Sequence, residues 1–250
     1  MAENSFYYDG SLCIACRSCQ VACKQWNYLP GEKTKFFAAA GGYQNPSDLS
    51  PMTWTIIKFH EVEKGGKVDW FFRRHHCFHC TQAACIEACP YGVPHVDADL
   101  EKSRKCTGCV DRVMNGMIPA CAKTCPTQAI RYGSKKEMYA LAQKRVSEVK
   151  KLGFKDAQVY GTKQLGGLHS IYVLPGKLEV YGLDPNPSFG NLAPIQRKAQ
   201  EAYAAWRRAH GDAKLASLTT SGGAVAAVGL AAAGLQKLTE RKRANAEKES

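Results

Sequence analysis

The sequence predicts an α+β fold, and three observations carry that prediction. Twelve cysteines are bunched into three blocks, two β-rich runs flank a Gly-Gly pair, and an amphipathic helical pattern follows the third block. With 250 residues and 45% hydrophobic content, the chain is long enough to bury a real core. The cysteine blocks are Cys13 to Cys23, Cys77 to Cys89 and Cys106 to Cys125, and no cysteine follows Cys125. A disulfide framework would spread cysteines along a small loop-rich chain, so this bunching argues for metal ligation.

The elements follow in order. "MTWTIIKFHEVEKGGKVDWFF" reads as a hairpin from about Met52 to Phe72, turning at Gly65 and Gly66. After the third block, Ser134 is the expected N-cap of a helix, with Glu137 three residues on and Gly153 as its stop. Its apolar face is expected to be Met138, Leu141, Ala142, Val149 and Leu152. "LHSIYVL", residues 168 to 174, reads as a buried or edge strand closed by Pro175 and Gly176. "GLDPNPSFGNLAP" is a turn-rich linker, after which Ile195, Ala199, Ala202, Tyr203 and Trp206 share a helical stripe. From Leu215 to Gln236 no residue is charged, a run long enough to span a bilayer. Its alanine- and glycine-rich composition fits two readings: a span packed closely against another membrane helix, or a tail packed on a soluble partner. Basic residues flank it on both sides, so charge does not orient it. The expected organisation is a cysteine-bearing domain over 1–133, a covering helix and strand over 134–190, and an amphipathic helix over 191–214. A transmembrane helix over 215–236 and a basic tail over 237–250 complete it.

The spacing points to iron-sulfur chemistry. "CIACRSCQVACKQW" places Cys13, Cys16, Cys19 and Cys23 as CxxCxxCxxxC, which lets three thiolates wrap one corner of a cubane while the fourth points elsewhere. Zinc would need only two CxxC pairs. The second block is CxxCxxxxCxxxCP, with Cys77, Cys80, Cys85 and Cys89 before Pro90. The third places Cys106, Cys109, Cys121 and Cys125 before Pro126. In two-cluster ferredoxins the fourth cysteine of each run ligates the other cluster, so motifs come in pairs and three leave one over. The expected fold is therefore a ferredoxin-like double-cluster core with an inserted hairpin, a third cluster site and a C-terminal helix.

The formal charge of +12 raises nucleic acid as a partner. Three four-iron clusters with thiolate ligands, each carrying about −2 when oxidised, would cancel about half of it. The basic balance then reads as compensation for buried anionic groups, and no nucleic-acid partner is expected. His75, His76 and His79 surround Cys77 and Cys80, and are expected to donate hydrogen bonds there or line a subunit contact. Lys24, Arg104, Lys105, Arg112 and Lys123 crowd the cysteine blocks and could raise cluster potentials. No nucleophile with a base, no P-loop and no dinucleotide fingerprint appears in context, so no catalytic residue is expected. The start of the chain lacks the marks of a secretory signal.

The segments "CIACRSCQVACKQWNYLP", "YQNPSDLS", "CPYGVPHVD", "KCTGCVDRVMNGMIPACAKTCPTQAI" and "LGGLHSIYVLP" resemble the iron-sulfur β subunit of molybdenum or tungsten formate dehydrogenases. That family belongs with the electron-transfer subunits of dimethyl sulfoxide reductase type. The likeness covers most of residues 5 to 175. Where related subunits have four motifs, this chain runs from Cys85 directly through "IEACPYGVP", which resembles the three-cluster form.

The resemblance implies three 4Fe-4S clusters. Cys13, Cys16, Cys19 and Cys125 would hold the first, Cys77, Cys80, Cys85 and Cys89 the second, and Cys106, Cys109, Cys121 and Cys23 the third. It implies a non-catalytic electron-transfer subunit, relaying electrons from a molybdopterin or tungstopterin catalytic subunit that oxidises formate to a cytochrome b membrane subunit or other acceptor. A subunit of a polysulfide, thiosulfate, nitrate or dimethyl sulfoxide reductase is the alternative, with a zinc-stabilised nucleic-acid-binding protein behind it. Location would be at the membrane, on the periplasmic face by co-export with the catalytic subunit, or cytoplasmic.

Overall fold

The computed structural model describes residues 3–34, 43–81, 85, 89–97 and 102–188. The expected helices over 191–214 and 215–236 lie outside the described residues. The chain divides into two units, one of Met1–Ala83 with Lys105–Ser188 and one of Ala84–Arg104 with Phe189–Ser250. In chain order the elements are β1 (Asn4–Asp9), α1 (Ser18–Trp26), β2 (Thr55–Lys64), β3 (Lys67–His76), β4 (His95–Asp97) and β5 (Lys102–Arg104). There follow α2 (Val110–Met114), α3 (Ala120–Lys123), β6 (Ile130–Ser134), α4 (Lys135–Lys151), β7 (Gln158–Tyr160) and β8 (Ser170–Leu174).

In the first unit, a four-stranded sheet runs in the order β6-β1-β8-β7. β1 pairs antiparallel with β6 and parallel with β8, and β7 closes the other side antiparallel. Both central strands are buried along almost their whole length, which "SIYVL" and "SFYYD" can tolerate because apolar and aromatic side chains point to both faces. The strand expected at residues 168–174 is therefore an interior strand. On one face Tyr7, Ile171 and Val173 pack with Ala142, Val146 and Val149 of α4. On the other, Tyr172 packs against Tyr8, His76 and Phe78, and Phe6 meets His76 edge-on.

α4 starts where expected: the Ser134 hydroxyl accepts from the Glu137 amide at 3.3 Å. Its buried stripe is Ala142, Val146 and Val149, four and three residues apart. Leu152, expected on that face, is 67% exposed, because the helix ends at Lys151 and Leu152 caps it, off the helical register. The hairpin is also present and extends four residues past its expected end, to His76. Gly65 and Gly66 both take positive φ, 59° and 73°, the two left-handed residues that a tight turn twisted with its strands requires. The closed end of this hairpin is exposed and its open end, Thr55 to Ile57 and Arg73 to His76, is buried.

That buried end is tied to the sheet by side chains. The Tyr8 hydroxyl donates to the Phe72 carbonyl at 2.9 Å, and the Tyr172 hydroxyl to the Arg74 carbonyl at 2.7 Å. Ser170 Oγ lies 3.0 Å from His76 Nε2. β3 thus delivers Cys77 and Cys80 from a fixed position. In the second unit, β4 and β5 pair antiparallel, with Arg104 and Asp97 joined at 2.8 Å.

Candidate metal centres

Each of the three CxxC loops adopts the same turn. The residue before the second cysteine takes positive φ in every case: Ala15 at 53°, His79 at 50° and Gly108 at 70°. This turns its amide back on the first cysteine, and the amides of His79 and Gly108 donate to Cys77 Sγ and Cys106 Sγ, each at 3.4 Å. The Ala15 amide does the same for Cys13. A left-handed conformation is uncommon for alanine and histidine, so its recurrence marks a shared requirement, to aim an N–H at a sulfur. Donors aimed at sulfur favour the thiolate over the thiol.

Two helices interleave the remaining ligand candidates. α1 carries Cys19 and Cys23, and α3 carries Cys121 with Cys125 just past its end, each pair four residues apart. Four residues of helix rise about 6 Å, so each pair presents two sulfurs at two different depths. α1 packs on α3. At one end, Cys13, Cys16, Cys19 and Cys125 line one small pocket, with Ile57 and Ile130 in its wall. At the other, Cys23 is buried beside Cys106, Cys121 and Cys109; burial, then those thiols, push its pKa well up. Cys77 and Cys80 belong to the first unit, and the Cys80 backbone pairs with Leu168. Cys85 and Cys89 belong to the second, where the Cys89 thiol accepts from the backbone around Val93 and Tyr91. No disulfide joins any of the twelve cysteines.

Residues 12–93 and 82–135 each match a family described as a 4Fe-4S dicluster domain. The chain is similar to the nitrate-inducible formate dehydrogenase iron-sulfur subunit of Escherichia coli, 36% identical over 82% of this chain and 80% of that protein. It is also similar to the formate dehydrogenase iron-sulfur subunit of Haemophilus influenzae, at 37% over 72% and 68%. A third relative is the formate dehydrogenase β subunit of Megalodesulfovibrio gigas, at 34% over 63% and 88%. The chain belongs to the formate dehydrogenase iron-sulfur subunit family.

In this family member the donor set fits 4Fe-4S ligation. Burial pushes the Cys19 and Cys106 thiols up to about 12, so without metal they are neutral at physiological pH. Iron bound there would supply the positive charge that makes each a thiolate, and the amide aimed at Cys106 would help hold that charge.

Of the cations singled out by proximity in sequence, Lys24 and Arg112 make structural contacts, and Arg112 also acts on the Cys109 thiol. Lys24 Nζ donates to the carbonyls of Met52 and Pro30 and pairs with Glu32, tying α1 to two loops. Arg112 donates to the Ile118 carbonyl and stacks over Trp26, 4.2 Å from its ring centre. A further cation at the thiols is Arg74, which donates to Cys121 Sγ at 3.1 Å and is 1% exposed. Sequence reasoning missed it because it lies outside the cysteine blocks. The signal available was a pair of arginines near the end of a strand, three and four residues before a CxxC motif, where a charge facing solvent would be expected.

His76 Nε2 lies 3.0 Å from Ser170 Oγ, and His79 Nε2 is buried with no hydrogen-bond partner among the described residues. The rings of His76 and His79 converge with Cys106 Sγ, their ligand atoms all within 4.8 Å of one another. Burial first, then nearby Lys105 and Arg74, push His79 down to about 3, so its ring is neutral.

Proposed function

We propose that this chain is the electron-transfer subunit of a formate dehydrogenase, carrying single electrons from a molybdopterin or tungstopterin catalytic subunit towards a separate acceptor. The observation that carries the reading is the repeated CxxC turn, with an amide aimed at the first sulfur in all three motifs of a dicluster family member. Bound 4Fe-4S clusters supply one-electron redox chemistry without bond-making. What the chain's own residues do is hold thiolates, exclude water and set the charge around them.

Three clusters are proposed. Cys13, Cys16, Cys19 and Cys125 form the first set, supported by the pocket they share. Cys23, Cys106, Cys109 and Cys121 form the next, supported by their mutual proximity. Cys77, Cys80, Cys85 and Cys89 form the last, as the family resemblance implies, with the matching turn at His79 in its support. The chain has no catalytic role of its own. The relatives' names support a catalytic partner, and one relative, from Nitratidesulfovibrio vulgaris, is named with cytochrome c-553. A cytochrome is accordingly the acceptor class proposed here, a cytochrome b where residues 215–236 span the bilayer. Exposed apolar side chains beside the cysteine loops, Ile14 at 62% and Met114 at 82%, suit coverage by such partners. Location at the periplasmic face of the membrane, by co-export with the catalytic subunit, is part of the same proposal.

Anaerobic purification of the complex tests the reading. About twelve iron atoms per copy of this chain, beyond those of its partners, and three reducible paramagnetic signals are expected. Iron near eight, or zinc in its place, would overturn the three-cluster assignment.

A further inference from the structure

Arg74 is buried, and no carboxylate pairs with it among the described residues. Its Nη2 donates to Cys121 Sγ at 3.1 Å and its Nε to Thr55 Oγ1 at 3.1 Å, while the guanidinium lies over the Phe6 ring, 5.2 Å from its centre. Its Nη1 is fully buried and has no hydrogen-bond partner among the described residues. The groups whose charge acts on it most are the thiols of Cys121, Cys19 and Cys106 and the Tyr172 hydroxyl. A buried cation that lacks an acid to balance it is costly, and is retained only where another anion compensates it. Cys121 and Cys106 belong to one proposed cluster set and Cys19 to the other, so this cation faces both.

We propose that Arg74 is a positioning residue shared by the two cluster sites that α1 and α3 interleave, and that its charge raises both reduction potentials together. Each reduction adds one negative charge to a site, and a fixed positive charge in a low-dielectric surround stabilises the more negative form. Because one guanidinium serves both sites, their potentials rise together and the difference between them changes little. The position of the charge is itself fixed: the Tyr172 hydroxyl holds the Arg74 carbonyl at 2.7 Å. This inference rests on the cluster reading above.

The test is a redox titration of the intact complex, followed by electron paramagnetic resonance, for wild type, Arg74→Gln and Arg74→Lys, with iron counted in each. Arg74→Gln is expected to lower the ratio of reduced to oxidised cluster at fixed potential roughly tenfold for two signals, equivalent to about 59 mV for a one-electron couple. The third signal should move less, and Arg74→Lys should restore most of the loss. If Arg74→Gln loses iron, Arg74→Met is titrated in its place, and loss of iron by both neutral variants would overturn the proposal in favour of a purely structural guanidinium. Unmoved potentials in a fully loaded variant, a shift of one signal alone, an equal shift of all three, or a lysine variant that behaves like glutamine would each overturn it. A wild-type protein lacking the expected iron would fail the cluster reading instead.

Discussion

Asp9 shows how much of this molecule is settled by single buried polar groups. Its side chain is fully buried at the end of β1, where Oδ2 accepts from Arg145 Nε at 2.7 Å and from the Tyr7 hydroxyl at 3.2 Å. Oδ1 accepts from the Ser11 amide and hydroxyl at 2.9 and 2.6 Å. The carboxylate therefore locks α4 to the strand that leads into the first cysteine loop. Asp9→Ala is expected to cost about 3 kcal/mol, because it leaves Arg145 and the Tyr7 hydroxyl without their acceptor. In thermal scans at one fixed rate the midpoint should fall by about 6–12 °C. A change under about 2 °C would mean that Arg145 finds Glu148, which it already contacts at 3.0 Å, an adequate substitute.

At the scale of elements, local signals and packing contribute separately. The start of α4 was legible because Ser134 is followed by a helix former three residues on and its hydroxyl reaches the Glu137 amide. Ser134→Ala should cost about 1 kcal/mol, read as a lower midpoint, while Ser134→Asp should retain most of it. Equal loss in both would show that the cap is not what fixes the helix start. The hairpin was legible for a similar reason, since strand residues surrounding two glycines leave few alternatives. β1 and β6 were not expected from the sequence. "SFYYD" and "IRYGS" are short and become strands by pairing with each other, Phe6 opposite Tyr132 and Tyr8 opposite Ile130, across more than 120 residues of chain. The apolar face of α4 was partly misassigned for the same reason: Val146 is buried because the sheet lies under it, and Leu152 is exposed because the helix has ended.

At the scale of the whole molecule, the proposed association with a membrane depends on residues 215–236. No helix among the described residues is long and apolar enough to cross a bilayer. Deleting residues 215–236 from a chain bearing a C-terminal reporter is expected to move it from the membrane fraction to the soluble one, with iron content unchanged. Unchanged fractionation would count against the anchor. The basic excess also belongs to this scale. A cation buried among thiols, as Arg74 is, has the character that charge compensation for anionic clusters requires, so +12 needs no nucleic acid to explain it.

The sequence by itself determined the ligand chemistry, because thiolate spacing is a local property: CxxC can only present two sulfurs on one turn, and three such turns with their following CxxxC state the kind of metal. It likewise determined the capped helix and the glycine hairpin, whose signals lie within a few residues of each other. Spacing alone did not say which distant sulfurs lie together; the resemblance implied it, and the tertiary structure brings Cys125 to the pocket that Cys13 lines and Cys23 near Cys106. Only the tertiary structure decided that a strand arginine points inward at Cys121. Both depend on α1 packing against α3 and on two tyrosine hydroxyls holding β3, contacts between segments far apart in the chain that no local pattern encodes.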